Sequence, residues 1–256
     1  GGIGGYWGDV RSDGTSTSHG SKSTGSIPFM RVVDSQMLAF NQGTTRRGSY
    51  ACYMDISHPE IEEFLFMRKS SGGDANRKCL NLHHGINITD DFMTAVNKNI
   101  DWKLIDPHSK KVAKSINARE LWRLILETRH ETGEPYLHFV DTSNRSLPET
   151  QKKLGLSIKQ SNLCSEITLP TDEDRTAVCC LSSVNLAKYD EWSTSPTFIP
   201  DMVRMLDNVL EHFIQATYDF SYDYKGDVLE MKVKKGMEGF TKAGYSAYRE
   251  RSLGLG

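Results

Sequence analysis

The chain has 256 residues, with 31 Lys and Arg against 33 Asp and Glu, and this balance excludes the strong basic field of a nucleic-acid-binding protein. The apolar content suffices for one large domain or two small ones, and no apolar run approaches the length of a membrane span. The five cysteines lack the pattern of a secreted disulfide scaffold, which favours a reducing compartment, and we expect a cytoplasmic protein.

Both ends of the chain are rich in glycine and apolar residues, GGIGGYWGD at the start and RERSLGLG at the end. Natural termini are usually polar and solvated, so this composition predicts a segment cut from a longer chain. The opening glycines do not match a dinucleotide-binding fingerprint, because Trp7 stands where the third glycine belongs and no strand precedes them.

Residues 8–26 are dense in Gly, Ser and Thr and are predicted to form a loop, either a plain linker or a loop whose N–H groups hold an anion. Beyond it, predicted helices and strands alternate, which favours an α/β fold. A capping box predicts a helix that starts at Ser57 and includes Glu60, and Thr89 is predicted to cap the next helix. The other predicted helices cover 27–40, 118–133 and 201–216, and the predicted strands cover 49–56, 85–88, 135–141 and 176–186.

The segment KQSNLCSEITLP, residues 159–170, places an amide, a thiol and a carboxylate at alternate positions, Asn162, Cys164 and Glu166. In an extended chain all three side chains would point to one side. One interpretation is a reaction centre in which the sulfur acts on a bound substrate, the carboxylate exchanges a proton and the amide holds a hydroxyl. The other is a buried cysteine at the end of a strand, the commoner situation of a single cysteine.

A second thiol favours the reaction centre, because Cys179, in AVCCLSS, is predicted on a neighbouring strand from which it could also reach a substrate. A zinc site is the alternative use of these sulfurs. However, the C-x-x-C spacing is missing, and His83 and His84 lie in another segment, so we predict no metal.

The loop FNQGTTRRGSY holds Arg46 and Arg47 between a predicted helix and a predicted strand. Two guanidinium groups in a glycine-bracketed loop suit a phosphorylated or planar ligand. Solvated loop arginines are the alternative, which composition alone favours.

Taken together, these stretches resemble the large, catalytic subunit of class I ribonucleotide reductase, in the family's order and over almost the whole chain. GGIGG and VRSDG resemble the start of the barrel and its first specificity loop, near 11–20, and AFNQGTTRRG resembles the second, near 42–48. SNLCSE resembles the finger loop, near 159–168, and AVCCLSSVNL the strand with the second redox cysteine. The N-x-C-x-E arrangement with the later A-V-C is specific, whereas the single loops are not.

The resemblance implies that residues 1–256 are a partial catalytic barrel domain, part of a ten-stranded α/β barrel with the finger loop at its centre. Cys164 matches the cysteine whose thiyl radical takes the 3′-hydrogen of the ribose. Glu166 matches the base that takes the 3′-hydroxyl proton while the 2′-hydroxyl leaves as water, and Asn162 matches the amide that holds the hydroxyls. Cys179 matches the later member of the reducing cysteine pair, and Cys180, which alternation would point away, is assigned to packing.

The same resemblance implies the binding residues and partners. Gln42, Gly43 and Arg46 match the loop that reads base identity, with Arg46 and Gly2 also contacting the substrate, and Arg11 matches an effector-binding arginine near a dimer interface. It implies a ribonucleoside diphosphate substrate, ATP or dNTP effectors, a homodimer, and thioredoxin or glutaredoxin as reductant. A metal-containing small subunit would supply the radical, and this chain itself would hold no cofactor, bind no nucleic acid and enter no membrane.

The first redox cysteine, the tyrosines of the radical path and the main phosphate-binding loop are expected to lie outside these 256 residues. We therefore expect the chain alone to reduce no nucleotide. Two rival interpretations are a cobalamin-dependent reductase and a non-catalytic split fragment that acts only with its missing parts. The cobalamin-dependent motif usually carries Pro and Gly around the thiol, so Leu163 and Ser165 argue against it.

Overall fold

The structure is a computed structural model that describes residues 1–42, 46–173, 175–217, 222–225, 228–231 and 253–255. The chain divides into two compact units, residues 1–168 and residues 169–256. Within the described residues, no helix is both long and apolar enough to cross a membrane.

The first unit alternates strands and helices, as the sequence predicts. Its strands are β1 (Gly2–Tyr6), β2 (Asn41–Gln42), β3 (Arg46–Arg47), β4 (Ser49–Asp55), β5 (His83–Ile88), β6 (Asp101–Ile105), β7 (Val112–Asn117) and β8 (Tyr136–Phe139). Its helices are α1 (Ile27–Ala39), α2 (Ile61–Phe66), α3 (Asp90–Lys98), α4 (Ala118–Thr132), α5 (Val140–Arg145) and α6 (Glu149–Lys153), with a 3-10 turn at Ala75–Arg77. Four strands form one parallel sheet in the order β1-β4-β5-β8, so the predicted α/β class is confirmed.

The two faces of this sheet differ in chemistry, because side chains alternate along each strand. One face carries apolar side chains such as Met54 and Ile86, which are buried with Phe64 of α2 and Phe92 of α3 in the main core. The register of the strands places another set of residues together on the opposite face: Gly2, Gly4, Tyr6, Tyr53, Asp55, Gly85, Asn87, Tyr136 and His138. This second set forms a polar face, with glycines at three of its positions.

Local capping signals explain where two of the helices begin and end. The Thr89 hydroxyl accepts the backbone N–H of Phe92 at 3.2 Å and starts α3, as predicted. Helix α4 ends at Gly133, whose φ of 79° is the left-handed conformation that glycine adopts without strain.

The predicted capping box at Ser57 is wrong. Helix α2 begins only at Ile61 and has no side-chain cap. The carboxylate of Glu60 accepts the backbone N–H of Ser26 at 2.9 Å and its hydroxyl at 3.0 Å, so it binds the start of α1 instead. Glu60 thus bonds Ser26, 34 positions away in the chain, and not the predicted local partner Ser57.

The second unit contains β9 (Val178–Cys180), a 3-10 turn at Leu186–Lys188, α7 (Tyr189–Trp192), α8 (Phe198–Thr217), β10 (Tyr222–Lys225), β11 (Val228–Met231) and β12 (Leu253–Leu255). Strand β9 pairs in parallel with β12, which places Cys179 opposite Gly254. The predicted strand 176–186 is thus confirmed only over three residues, and the predicted helix 201–216 lies inside α8.

Candidate active site

The segment that carries Cys164 forms a turn and not the extended strand that its alternating polar residues suggest. The side-chain oxygen of Asn162 accepts the backbone N–H of Ile167 at 3.2 Å and the hydroxyl of Ser161 at 3.2 Å, which closes the turn. Ser165 has a φ of 69°, in the left-handed region. The prediction of an extended chain is therefore wrong. Because the side-chain oxygen of Asn162 closes the turn, only its amide nitrogen can serve a ligand.

This turn lies directly on the polar face of the sheet, at strand β1. A Cβ atom on Gly4 would lie 2.1 Å from the Ser161 carbonyl oxygen, and one on Gly2 would lie 2.1 Å from the Leu163 side chain. Such distances are far below van der Waals contact, so only glycine permits this approach. The predicted substrate-contact residue Gly2 is thereby brought to the cysteine turn.

Three polar side chains bind the backbone at the start of the same turn. The Tyr53 hydroxyl donates to the Asn162 carbonyl at 2.7 Å, and the Asn87 amide donates to the Lys159 carbonyl at 2.7 Å. The Asn144 side chain forms a pair of hydrogen bonds with the backbone of Ile158, at 2.8 and 3.0 Å. Hydrogen bonds from these three side chains therefore fix the turn to β4, β5 and α5.

A chain of buried polar groups extends along the sheet beneath the turn. The Tyr6 hydroxyl donates to Asp55 at 2.5 Å, and Asp55 accepts from the Asn87 amide at 2.8 Å. The Asn87 oxygen meets the His138 ring at 2.8 Å, and the other ring nitrogen meets the Ser143 hydroxyl at 3.0 Å. Burial raises the pKa of Tyr6, and the Asp55 carboxylate adds to this effect, whereas burial lowers the pKa of His138.

The thiol of Cys164 and the carboxylate of Glu166 are both exposed, so a substrate can reach them. Burial raises the pKa of Tyr136, and the charges of Glu134, Cys164 and Glu166 raise it further, whereas the Arg68 charge opposes this effect. Burial likewise raises the pKa of Tyr53 to about 12. The predicted thiol and carboxylate thus both influence the pKa of one tyrosine of the sheet.

A histidine–glutamate cluster borders this tyrosine, and no motif in the sequence predicts it. Glu134 lies 2.5 Å from the His83 ring, 2.9 Å from the His84 ring and 3.3 Å from the Arg68 guanidinium. Burial alone would raise the pKa of Glu134, but hydrogen bonds from His83 and His84 outweigh it and lower this pKa to about 2. His83 also stacks on Tyr136, with ring centroids 6.3 Å apart. Both histidines considered for zinc are therefore bound to a carboxylate.

The loop after β1 is ordered by one buried carboxylate of the β6–β7 hairpin. Asp106 accepts the backbone N–H and the hydroxyl of Ser12, at 2.8 and 2.7 Å, and the Thr15 hydroxyl at 2.9 Å. Burial alone would raise the pKa of Asp106, but hydrogen bonds from Ser109 and Ser12 outweigh it and hold this pKa well below its usual range. Beside this fixed loop, Arg11 lines a cavity of about 480 Å³ together with Asp9, Lys22, Thr24 and Phe29.

For the other predicted site residues, the structure gives only strand pairing or burial. Gln42 pairs with Arg46 in the β2–β3 hairpin, and Gly43 lies outside the residues that the structure describes. Cys179 and Cys180 are half-buried in the second unit, and burial raises the pKa of Cys180. The structure therefore brings Gly2, Asn162, Cys164 and Glu166 together in the first unit. The roles of all the predicted site residues remain predictions.

Comparisons with known proteins indicate the family to which the chain is similar. A family model described as the barrel domain of ribonucleotide reductase matches residues 1–256. A sequence of Frog virus 3 (isolate Goorha) assigned as a ribonucleoside-diphosphate reductase large subunit is 51% identical over the whole chain, and the large subunit of Invertebrate iridescent virus 3 is 43% identical over 92% of it. The class Id ribonucleotide reductase alpha subunit of Actinobacillus ureae matches 99% of the chain with a TM-score of 0.70 and 30% identity. The chain spans 41%, 43% and 40% of the lengths of these three proteins, respectively.

Proposed function

The chain belongs to the ribonucleotide reductase barrel-domain family, and from this premise we propose that it forms part of the catalytic core of a ribonucleoside-diphosphate reductase large subunit. The observation that supports this most is the Cys164 turn, held on a polar sheet face by β1 glycines and by Tyr53 and Asn87. The similar proteins are named as ribonucleoside-diphosphate reductase subunits, which favours the class I type over a cobalamin-dependent enzyme.

We propose the following chemistry for the residues of the turn. The Cys164 thiyl radical takes a hydrogen atom from C3′ of the ribose, so an S–H bond forms and a C3′–H bond breaks. Glu166 takes the proton of the 3′-hydroxyl, and the Asn162 amide holds the hydroxyl groups. The 2′-hydroxyl takes a proton from a thiol of the reducing cysteine pair and leaves as water, which breaks the C2′–O bond, and Cys164 finally returns the hydrogen atom to C3′.

Two electrons are needed for each turnover, and we propose that a cysteine dithiol supplies them by closing to a disulfide. Cys179 is the member of that pair in this chain, and thioredoxin or glutaredoxin would reduce the disulfide again. A metal-containing small subunit would generate the radical, and the complete subunit would act as a cytoplasmic homodimer.

We also propose that the cavity lined by Arg11 takes a nucleoside triphosphate effector. The guanidinium group and Lys22 suit its phosphates, and Phe29 offers an apolar wall for the base. The β2–β3 hairpin, with Gln42, Gly43 and Arg46, would read the base of the substrate, and Arg46 and Gly2 would contact the substrate itself.

The test of the proposed function is Cys164→Ser in the complete subunit that carries this sequence, assayed with its radical-generating partner. Serine is nearly isosteric with cysteine. Its O–H bond, however, is too strong for the radical to be transferred to this position. We expect nucleoside diphosphate binding within about twofold of wild type and a loss of turnover of at least about 10³-fold. Substantial deoxynucleotide formation by this variant would overturn the assignment of Cys164.

A further inference from the structure

We infer that Asn87 is a positioning residue for the Cys164 turn, acting through the Lys159 carbonyl, with Tyr53 as its partner at the Asn162 carbonyl. This inference rests on the proposed function and extends it to residues that bond the backbone of the turn. Both side chains belong to the central strands β4 and β5 of the sheet, and both are almost wholly buried.

The bonding partners of Asn87 fix the orientation of its amide group. The Asp55 carboxylate and the Lys159 carbonyl can only accept hydrogen bonds, so both must face the amide nitrogen, at 2.8 and 2.7 Å. The amide oxygen therefore faces His138, at 2.8 Å. Each hydrogen of the amide has one acceptor, and the side chain has no freedom to rotate.

This orientation also fixes the state of His138. Because the Asn87 oxygen only accepts, Nδ1 of His138 carries the proton, and Nε2 accepts the Ser143 hydroxyl hydrogen at 3.0 Å. At the other end of this hydrogen-bond network, the Tyr6 hydroxyl donates to Asp55. The network is thus fully paired along its length, and such networks hold one geometry more firmly than single hydrogen bonds do.

The two carbonyl groups that Asn87 and Tyr53 hold lie close to Cys164 along the chain. The anchored carbonyls belong to Lys159 and Asn162, the latter only two residues before Cys164. A reacting atom displaced by about 1 Å can cost about 100-fold in rate. Loss of an anchor would therefore lower kcat, because the sulfur is misplaced, while leaving the groups that bind substrate in place.

The experiment compares three variants of the complete subunit that carries this sequence, assayed with its radical-generating partner. Asn87→Ala and Tyr53→Phe each remove one anchor, and the second removes only a hydroxyl group and thus keeps the fold. Asn117→Ala is the control, because Asn117 caps α4 with two hydrogen bonds and its loss destabilises the protein far from the turn in sequence. For each variant we would measure kcat, KM and amide hydrogen exchange of residues 158–167.

We expect both anchor variants to lose about 10- to 100-fold in kcat with KM within about twofold of wild type, and to exchange faster only in residues 158–167. The control should keep its kcat and its exchange in this segment. A kcat within about threefold of the control in both anchor variants, or a proportional rise in KM, would overturn the inference. If the wild-type subunit shows no turnover, the proposed function fails, and the exchange rates alone then decide whether Asn87 and Tyr53 hold the turn.

Discussion

Asp106 accepts both polar hydrogens of Ser12, the backbone N–H at 2.8 Å and the hydroxyl at 2.7 Å, across 94 positions of the chain. The same carboxylate caps its own hairpin turn by accepting the Ser109 N–H at 2.6 Å. One side chain thus ties the Gly- and Ser-rich loop that holds Arg11 to the β6–β7 hairpin. A loop of such composition would otherwise be flexible, so its order depends on this carboxylate.

Asp106→Asn should therefore destabilise the protein and weaken ligand binding beside Arg11. The amide keeps one acceptor oxygen but loses the charge that strengthens these bonds, and we expect the free energy of unfolding to fall by about 1–3 kcal/mol. Binding of a nucleoside triphosphate should weaken about fivefold or more, because the ligand must then order the loop. Urea unfolding and calorimetric titration measure the two effects. Asp101→Asn, at an exposed position of β6, is the control, and equal results for the two variants would contradict the prediction.

Gly4→Ala should displace the Cys164 turn. The new Cβ would lie 2.1 Å from the Ser161 carbonyl oxygen and 2.9 Å from the Asn162 backbone, so either the turn or β1 must move. We expect a loss of about 1–3 kcal/mol in the free energy of unfolding and about 100-fold in kcat. Thermal unfolding and turnover assays measure these effects.

The control is Ile3→Ala on the opposite face of β1, where the side chain is 60% exposed and the expected loss is below about 0.5 kcal/mol. Wild-type stability and turnover in Gly4→Ala would show that the turn does not lie against β1.

Cys179→Ala and Cys180→Ala should separate sharply in turnover assays. Adjacent residues of β9 point to opposite sides, and burial raises the thiol pKa of Cys180, which suits a packing role. We expect the Cys179 variant to complete at most one turnover, whereas the Cys180 variant should lose only about 1 kcal/mol of stability. Equal loss of turnover in both variants, or loss only in the Cys180 variant, would reverse the assignment.

The sequence predicted the features that depend on neighbours along the chain. Thr89 and Gly133 mark the start of α3 and the end of α4, because a cap bonds backbone groups within a few residues. The motif around Cys164 was found in the same way, from residue types at short spacing. In each of these cases the signal and its consequence lie in one short segment.

The sequence could not predict the features that depend on distant partners. Strand β1 was missed because glycines are poor strand formers, and its strand structure depends on pairing with β4 and on the space that the Cys164 turn requires. The anchors Tyr53 and Asn87 bond residues 109 and 72 positions away, a separation that no local pattern reveals. The alternation of Asn162, Cys164 and Glu166 suggested an extended chain, yet the Asn162 side chain closes a turn.

The last prediction concerns the pH dependence of stability that His138 causes. Burial lowers the pKa of His138 below its ordinary value of 6.5, an effect that the nearby Asp55 charge opposes only in part. As the pH falls through 6.5, the unfolded chain binds a proton at this position before the folded protein does, so stability that is fully present above pH 6.5 is lost progressively below it. His138→Asn keeps a donor near the Asn87 oxygen but removes the titrating ring. Urea unfolding between pH 7.5 and pH 5.5 should therefore show a smaller loss of unfolding free energy in this variant than in wild type. His19→Asn, at an exposed loop position, is the control and should follow the wild-type curve, and a His138 variant that does the same would contradict the prediction.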